Sequence, residues 1–193
     1  MVSGMVDLLG GADIRELAAR LDVVPTKKLG QNFVTDPNTI RRIVAAAKLD
    51  GTETVVEIGP GLGSLTLGLL EVAAKVLAVE IDPKMAAALE ATIAKRAVGK
   101  DFTLIHEDAL KITELPVNPD ALVANLPYNI SVPVLLHFLE RFDSIQRGLV
   151  LVQAEVAHRL AAAPGSKVYG VPSAKLAWYA ESNLAGNVGR NIF

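Results

Sequence analysis

A short apolar segment, Val55 to Ile58, runs without a break into Gly59-Pro60-Gly61-Leu62-Gly63, and no other feature limits the architecture of this chain as strongly. Three glycines at alternate positions, after a β-branched segment and before a helical pattern, make a tight turn of bare backbone. In open α/β sheets such a turn lies at the carboxyl end of a strand, where these folds bind their ligands. The rest of the sequence agrees. Thr54 to Ile58, Lys75 to Val79 and Phe102 to His106 are short and β-branched, and they are separated by helical spacing over Leu65 to Ala73 and Pro83 to Ala97. Ala121 to Ala124 and Gly148 to Val152 flank a further helical pattern, Val132 to Arg141. Alternation of this kind predicts a doubly wound, mostly parallel sheet of about five strands inside a three-layer α/β/α sandwich.

Before the glycine turn, Ile14, Leu17, Ala18 and Leu21 recur at helical spacing behind Asp13, which predicts a short amphipathic helix over Ala12 to Leu21 that Pro25 ends. A loop from Thr26 to Val34 follows. Asp36-Pro37 has the chemistry of an N-cap with proline at the first helical position, opening a helix to Ala47 that Gly51 closes. Past Gln153, helices are expected over Ala154 to Ala162 and Ser173 to Ala180, whereas Asn183 to Phe193 lacks periodicity. Residues 1–24 read as an extension and 25–193 as one domain.

Composition narrows the function classes. With 193 residues and 51% hydrophobic content the chain can bury one substantial core. Its apolar runs are too short to cross a bilayer, and without cysteine it has neither disulfides nor thiolate metal sites. Met1 to Gly10 shows no secretory pattern, so the expectation is a cytoplasmic protein, and a monomer. His106, His137 and His158 fall in separate segments without partners at ligand spacing, so no metal is expected. Ser64, Ser131 and Ser166 lack a G-x-S-x-G elbow, leaving hydrolase chemistry unsupported. A net charge of −2 does not announce a nucleic-acid partner, and the doublets Lys27-Lys28, Arg41-Arg42 and Lys95-Arg96 read as solvated surface. Trp178 and Tyr179 read as packing residues.

The glycine turn chooses between ligands. A dinucleotide site wants glycine at position 64, where this chain has Ser64. Glu57, two residues before the first glycine, repels a pyrophosphate but suits a cationic sulfonium with an α-amino group. Glu80 ends the next strand about 20 residues on, where a carboxylate accepts hydrogen bonds from ribose hydroxyls. Asp108 follows the third strand, placed to accept from an adenine amino group, with Ala109 and Leu110 to pack on the ring. The cofactor these residues indicate is S-adenosylmethionine, leaving S-adenosylhomocysteine as product.

Asn125-Leu126-Pro127-Tyr128 follows the fourth strand at the same edge. A purine amino group is a poor nucleophile. It improves when two acceptors hold its hydrogens and expose the lone pair, and the Asn125 side-chain oxygen and Leu126 carbonyl are suited to that. Pro127 stiffens the turn and brings no N–H, while Tyr128 offers a face for an extruded base. No deprotonating base is needed before attack.

Six ordered segments carry a resemblance: Lys28-Leu29-Gly30-Gln31-Asn32-Phe33, Glu57 to Gly63, Val79-Glu80-Ile81-Asp82, Asp108-Ala109, Asn125 to Ser131, and Lys167-Val168-Tyr169-Gly170. Together they resemble the ribosomal RNA adenine N6,N6-dimethyltransferase family, in particular its bacterial 16S branch. The resemblance implies a class I S-adenosylmethionine-dependent methyltransferase domain, Rossmann-like, that dimethylates N6 of two adjacent adenines of 16S rRNA in the 30S subunit or its precursor. It places Gln31, Asn32, Val34, Glu57, Gly59, Gly61, Gly63, Glu80, Ile81, Asp108, Ala109 and Asn125 around the cofactor, with Asn32 and the Val34 backbone at its methionine end. It assigns Asn125, Leu126, Pro127 and Tyr128 to the target base, and Phe193 stands where the family has a phenylalanine on the base's other side. Family members continue further, completing the sheet and adding a helical domain that grips RNA. On that pattern this chain corresponds to the catalytic domain alone, and the missing basic charge follows from that. The alternatives are a 23S-directed enzyme of the macrolide-resistance type, in which isoleucine tends to replace Leu126, a noncatalytic nucleic-acid-binding relative, and a DNA adenine methyltransferase.

Overall fold

A computed structural model describes residues 5–22, 34–126 and 129–189. In chain order the elements are α1 (Gly11–Arg20), α2 (Pro37–Ala46), β1 (Thr54–Ile58), α3 (Ser64–Val72), β2 (Lys75–Glu80), α4 (Pro83–Arg96), β3 (Phe102–His106), β4 (Ala121–Asn125), α5 (Ser131–Arg141), β5 (Arg147–Leu151), α6 (Ala154–Leu160) and α7 (Val171–Tyr179). The strands pair in parallel in the order β3-β2-β1-β4-β5. From β1 the chain moves outward through β2 and β3, then crosses back to place β4 on the other side of β1. The carboxyl ends of β1 and β4 therefore flank the point where the strand order reverses, the place where such sheets open a crevice.

Alternate strand residues feed two cores. Val55, Val76, Ala78, Ala121 and Val123 pack with Ile40 of α2, Leu67 of α3 and Leu89 of α4. Val56, Leu77, Leu122 and Ala124 face Val134 and Phe138 of α5 and Leu176 of α7. Burial on both faces is why the inner strands read as unbroken apolar runs rather than as alternation. The doubly wound, three-layer arrangement expected from the sequence is the one formed.

Helix ends depart from the sequence reading by a residue or two, for identifiable reasons. Helix α1 starts from Gly10, and Asp13 lies inside its first turn, where its Oδ2 accepts the Gly10 N–H at 2.8 Å. It ends at Arg20, before Pro25, with Asp22 in a left-handed conformation at φ +53°. In α2, Asp36 caps as expected, accepting from the Asn38 and Thr39 N–H groups, but Lys48 at φ +52° rather than Gly51 turns the chain away. Helix α7 begins two residues before the expected Ser173, because Pro172 fits the first turn, where no N–H is required. Trp178 is 84% exposed and Tyr179 is also exposed, which overturns their reading as packing residues. Their helix buries Ser173 and Leu176 instead.

Within residues 5–22, Leu9, Ile14 and Ala18 belong to the same core, buried among residues of α2, α3 and α4. Arg96 fastens it, its Nη1 2.6 Å from Asp7 Oδ2 and its Nη2 2.6 Å from Asp13 Oδ1. Of the basic doublets, Arg41 pairs with Glu71 and Arg96 with these aspartates, so both are held by local acids; Lys27-Lys28 lies outside the described residues.

Helices α2 and α3 approach closely at Gly68. A Cβ there would stand 2.3 Å from Ile40 Cγ2 and 3.2 Å from Val44 Cγ2. Gly68→Ala gains about 1 kcal/mol of helix propensity but overpacks a fixed interface at about 1–3 kcal/mol. We expect a net loss, read as a lowered thermal midpoint; an unchanged or raised midpoint would show that α2 moves aside at no cost.

Candidate active site

The ends of β1, β2 and β3 are laced together around Glu80. The Gly59 N–H donates to the Val79 carbonyl at 2.9 Å, and the Glu107 N–H to the Glu80 carbonyl at 3.1 Å. The Glu80 side chain, 5% exposed, accepts from the Gly61 N–H at 3.3 Å through Oε2 and from the Asp82 N–H at 3.0 Å through Oε1. Burial raises its pKa above the usual carboxylate value, and the N–H groups of Asp82, Gly61 and Ile81 oppose that rise. The result is a carboxylate fixed in direction at the strand end.

Gly59, Gly61 and Gly63 adopt φ of +66°, +56° and +93°, left-handed conformations that side chains disfavour. At Gly63 a Cβ would also stand 2.7 Å from Leu89 Cδ1. The turn delivers the chain to the N-terminus of α3. Three buried side-chain atoms gather along this stretch without a hydrogen-bond partner: Glu57 Oε2, Ser64 Oγ and Thr66 Oγ1. Buried polar groups are nearly always satisfied, so orphans at a ligand-binding turn mark where ligand or water atoms belong. Glu57 is 1% exposed, and burial pushes its pKa up to about 8. The Thr66 hydroxyl opposes that rise from nearby, although its Oγ1 reaches no partner in hydrogen-bond geometry, and the charge of Glu80 adds to the rise. Glu57 is therefore mostly neutral at pH 7 in the ligand-free site, which weakens its expected repulsion of a pyrophosphate. What disfavours a dinucleotide is the glycine spacing.

Asp108 follows β3. Its Oδ1 accepts the Leu110 N–H at 3.0 Å and its Oδ2 lies 3.9 Å from Lys111 Nζ. Ala109 beside it is buried, while Ile81 and Leu110 expose apolar surface at the same edge. His106 Nε2 approaches the Ile81 carbonyl at 3.2 Å, tying β3 to the turn after Glu80. Across the sheet, β4 pairs with β1 at Val55–Ala121 and Val56–Leu122, and Asn125, paired with Leu151 of β5, is the last residue of β4 at the same carboxyl edge. The Leu126 N–H donates to the Leu151 carbonyl at 3.0 Å, extending the β4–β5 ladder and fixing the peptide that follows Asn125. Val34 is buried against the α2 and α3 side of the core.

Glu57, Gly59, Gly61, Gly63, Glu80, Ile81, Asp108, Ala109, Asn125 and Leu126 thus share one edge of one sheet. Gln31, Asn32, Pro127, Tyr128 and Phe193 lie outside the described residues. Ser64 entered the sequence argument only against a dinucleotide and against hydrolase chemistry, and Thr66 did not enter it. The available signal was two hydroxyls in the first turn of an otherwise apolar helix, Ser64-Leu65-Thr66-Leu67. Among the described residues no three His, Asp or Glu side chains are grouped to hold a metal ion. A groove of about 400 Å³ between α4 and β3, lined by Ile93, Val98 and Phe102, is separate from this edge.

The chemistry of these residues suits S-adenosylmethionine: a backbone cradle at the glycine turn, carboxylates after two successive strands with apolar surface beside them, and unpartnered buried oxygens along the turn. Residues 25–193 match the family described as Ribosomal RNA adenine dimethylase. The chain belongs to that family. It is 62% identical over 188 residues to Ribosomal RNA small subunit methyltransferase A of Arthrobacter sp. strain FB24, covering 96% of this chain and 64% of the relative. It is 63% identical over 189 residues to the protein of that name from Streptomyces coelicolor, covering 96% and 66%. The chain thus spans about two thirds of the length of these relatives. Among solved structures it resembles a dimethyladenosine transferase from Plasmodium falciparum, with a TM-score of 0.62, 29% identity, and 72% and 49% of the two chains covered. It also resembles the 23S rRNA methyltransferase ErmE, with a TM-score of 0.59, 31% identity, and 67% and 51% covered. No helix among the described residues is long and apolar enough to cross a membrane.

Proposed function

We propose that this domain binds S-adenosylmethionine at the edge formed by β1 to β4 and directs methyl transfer to N6 of two adjacent adenines of 16S rRNA, in the small subunit or its precursor, in the cytoplasm. The supporting observation is that Glu80, bonded to Gly61 of the glycine turn, ends β2, Asp108 follows β3 and Asn125 ends β4, all at the carboxyl edge where the strand order reverses. S-adenosylmethionine supplies a methyl group on a sulfonium, already activated for displacement. The protein's contribution is placement. Glu80 holds the ribose hydroxyls and Asp108 the adenine amino group, with Ile81 and Ala109 against the ring. Asn125 and the Leu126 carbonyl take the two hydrogens of the target amine and aim its lone pair, so in-line geometry and electrostatics carry the catalysis. Gln31, Asn32 and Val34 complete the methionyl end in this reading, while Pro127, Tyr128 and Phe193 hold the base.

The 23S-directed reading is the second one considered, since ErmE shares the fold. The relatives above 60% identity carry the small-subunit name, and Leu126 agrees with the 16S pattern. On a protein of the relatives' full length, labelled cofactor is expected to mark 30S and not 50S particles; the reverse preference would exclude the 16S assignment. Asn125→Ala is expected to lower the transfer rate about 10²–10³-fold, as when one preorganised polar group is removed from a transition state. Cofactor affinity should change much less. Retained transfer would remove Asn125 from the chemistry.

A further inference from the structure

We infer that the cationic methionyl end of the cofactor draws Glu57 into its ionised form, so that cofactor binding expels one proton from the turn between β1 and α3. This rests on the cofactor reading above and says how that same site is regulated by pH.

The geometry supplies the argument. Glu57 is the penultimate residue of β1, on the same face as Val55, which packs with α3; it is 1% exposed, with Oε2 unpartnered. Ser64 Oγ and Thr66 Oγ1, at the start of α3, are buried and unpartnered as well, beside a helix N-terminus and three glycines in left-handed conformations. A structural carboxyl would have its oxygens satisfied by the fold. Here the fold leaves an oxygen of an ionisable group and two hydroxyls bare along one stretch of chain, which suits a ligand that brings positive charge and donors.

The ionisable surroundings do not provide that charge. Strand β2 contributes Glu80, whose charge disfavours ionisation of Glu57. On β4 the residue level with it is Val123, by continuation of the register. The ionisable residue of α3 is Glu71, at the helix's far end, 3.3 Å from Arg41 of α2. On α4, Lys84 and Lys95 are exposed and Arg96 is engaged by Asp7 and Asp13. In the ligand-free site Glu57 therefore keeps its proton. An ammonium or sulfonium brought into this low-dielectric turn favours the carboxylate, because opposite charges at short range stabilise each other far more there than in water. The O–H bond of the carboxyl breaks, its electrons stay on the carboxylate, and the proton passes to buffer.

The test is titration calorimetry of the chain with S-adenosylmethionine in buffers of different ionisation enthalpy, at pH 7 and pH 9. The parent is expected to release about 0.9 proton per site more than Glu57→Gln at pH 7, falling to about 0.1 at pH 9, since a group titrating near 8 holds most of its proton at pH 7 and little at pH 9, and the difference cancels the titration of the ligand's own α-amino group. Methylthioadenosine, which lacks both positive charges, should bind without releasing a proton. Carbon NMR of the Glu57 carboxyl with and without ligand gives the same answer on the unsubstituted chain. Binding with no proton release, or with the same release in Glu57→Gln, overturns this inference and leaves the cofactor site standing. Failure of S-adenosylmethionine to bind overturns both.

Discussion

Glu80→Ala is expected to weaken S-adenosylmethionine binding about 10²–10⁴-fold in a calorimetric titration. The side chain is held at the end of β2 by the Gly61 and Asp82 N–H groups, so it is oriented before any ligand arrives. Hydrogen bonds to a charged acceptor contribute about 1.5–3 kcal/mol each, and two ribose hydroxyls offer two of them. At about 1.4 kcal/mol per tenfold, the pair accounts for the range given. Alanine also strips the acceptor from the Gly61 N–H of the glycine turn and from the Asp82 N–H after β2. Glu80→Gln retains one acceptor oxygen and should lose about tenfold. Equal affinities for the parent and the alanine variant would take Glu80 out of the site.

Glu57→Gln is expected to stabilise the ligand-free protein at high pH. In the unfolded chain Glu57 titrates near its ordinary value of 4.5, and in the fold near 8. A raised folded value means that the stabilising contribution is fully present below about 4.5 and is lost as the pH rises through about 8, because the unfolded chain releases its proton first. The whole interval corresponds to about 5 kcal/mol at most. Glutamine has nearly the same shape and no charge, so it avoids the loss. Parent and variant should melt at similar temperatures at pH 5, while at pH 9 the variant should melt about 5–15 °C higher, at roughly 2–4 °C per kcal/mol for a domain of this size. Glu80 shifts in the same direction in both proteins, and the difference between them isolates Glu57. Melting curves that stay parallel from pH 5 to pH 9 would show that Glu57 is already ionised in the fold. The same substitution removes the countercharge proposed for the cofactor, so stability and cofactor affinity should move in opposite directions.

Patterns with a short-range cause were legible before any coordinates. The Asp36-Pro37 cap, the strand entering Gly59 to Gly63, and Glu80 and Asp108 after successive strands all follow from backbone geometry and two-residue or 3.6-residue periods. The parallel order of the sheet follows as well, because helical crossovers leave few alternatives. What escaped depended on three dimensions. Asp13 fell inside the expected helix, but its acceptance of the Gly10 N–H and its pairing with Arg96, 83 residues away in sequence, have no local signal. Trp178 was assigned to packing on its apolar character, but α7 turns its Ser173 and Leu176 side inward. The charge state of Glu57 was misjudged for a similar reason: a carboxylate in a motif gives no sign of how deeply the neighbouring strands bury it. Ser64 and Thr66 became informative only once their oxygens were seen to lack partners.

The most direct test of the account is a crystal structure of this chain grown with S-adenosylmethionine. Ribose hydroxyls are expected on Glu80, the adenine amino group on Asp108, the methionyl end over Gly59 to Gly63 near Glu57 and Ser64, and the sulfonium methyl directed toward Asn125. Cofactor bound in the groove between α4 and β3, or lying with its ribose away from Glu80, would contradict it.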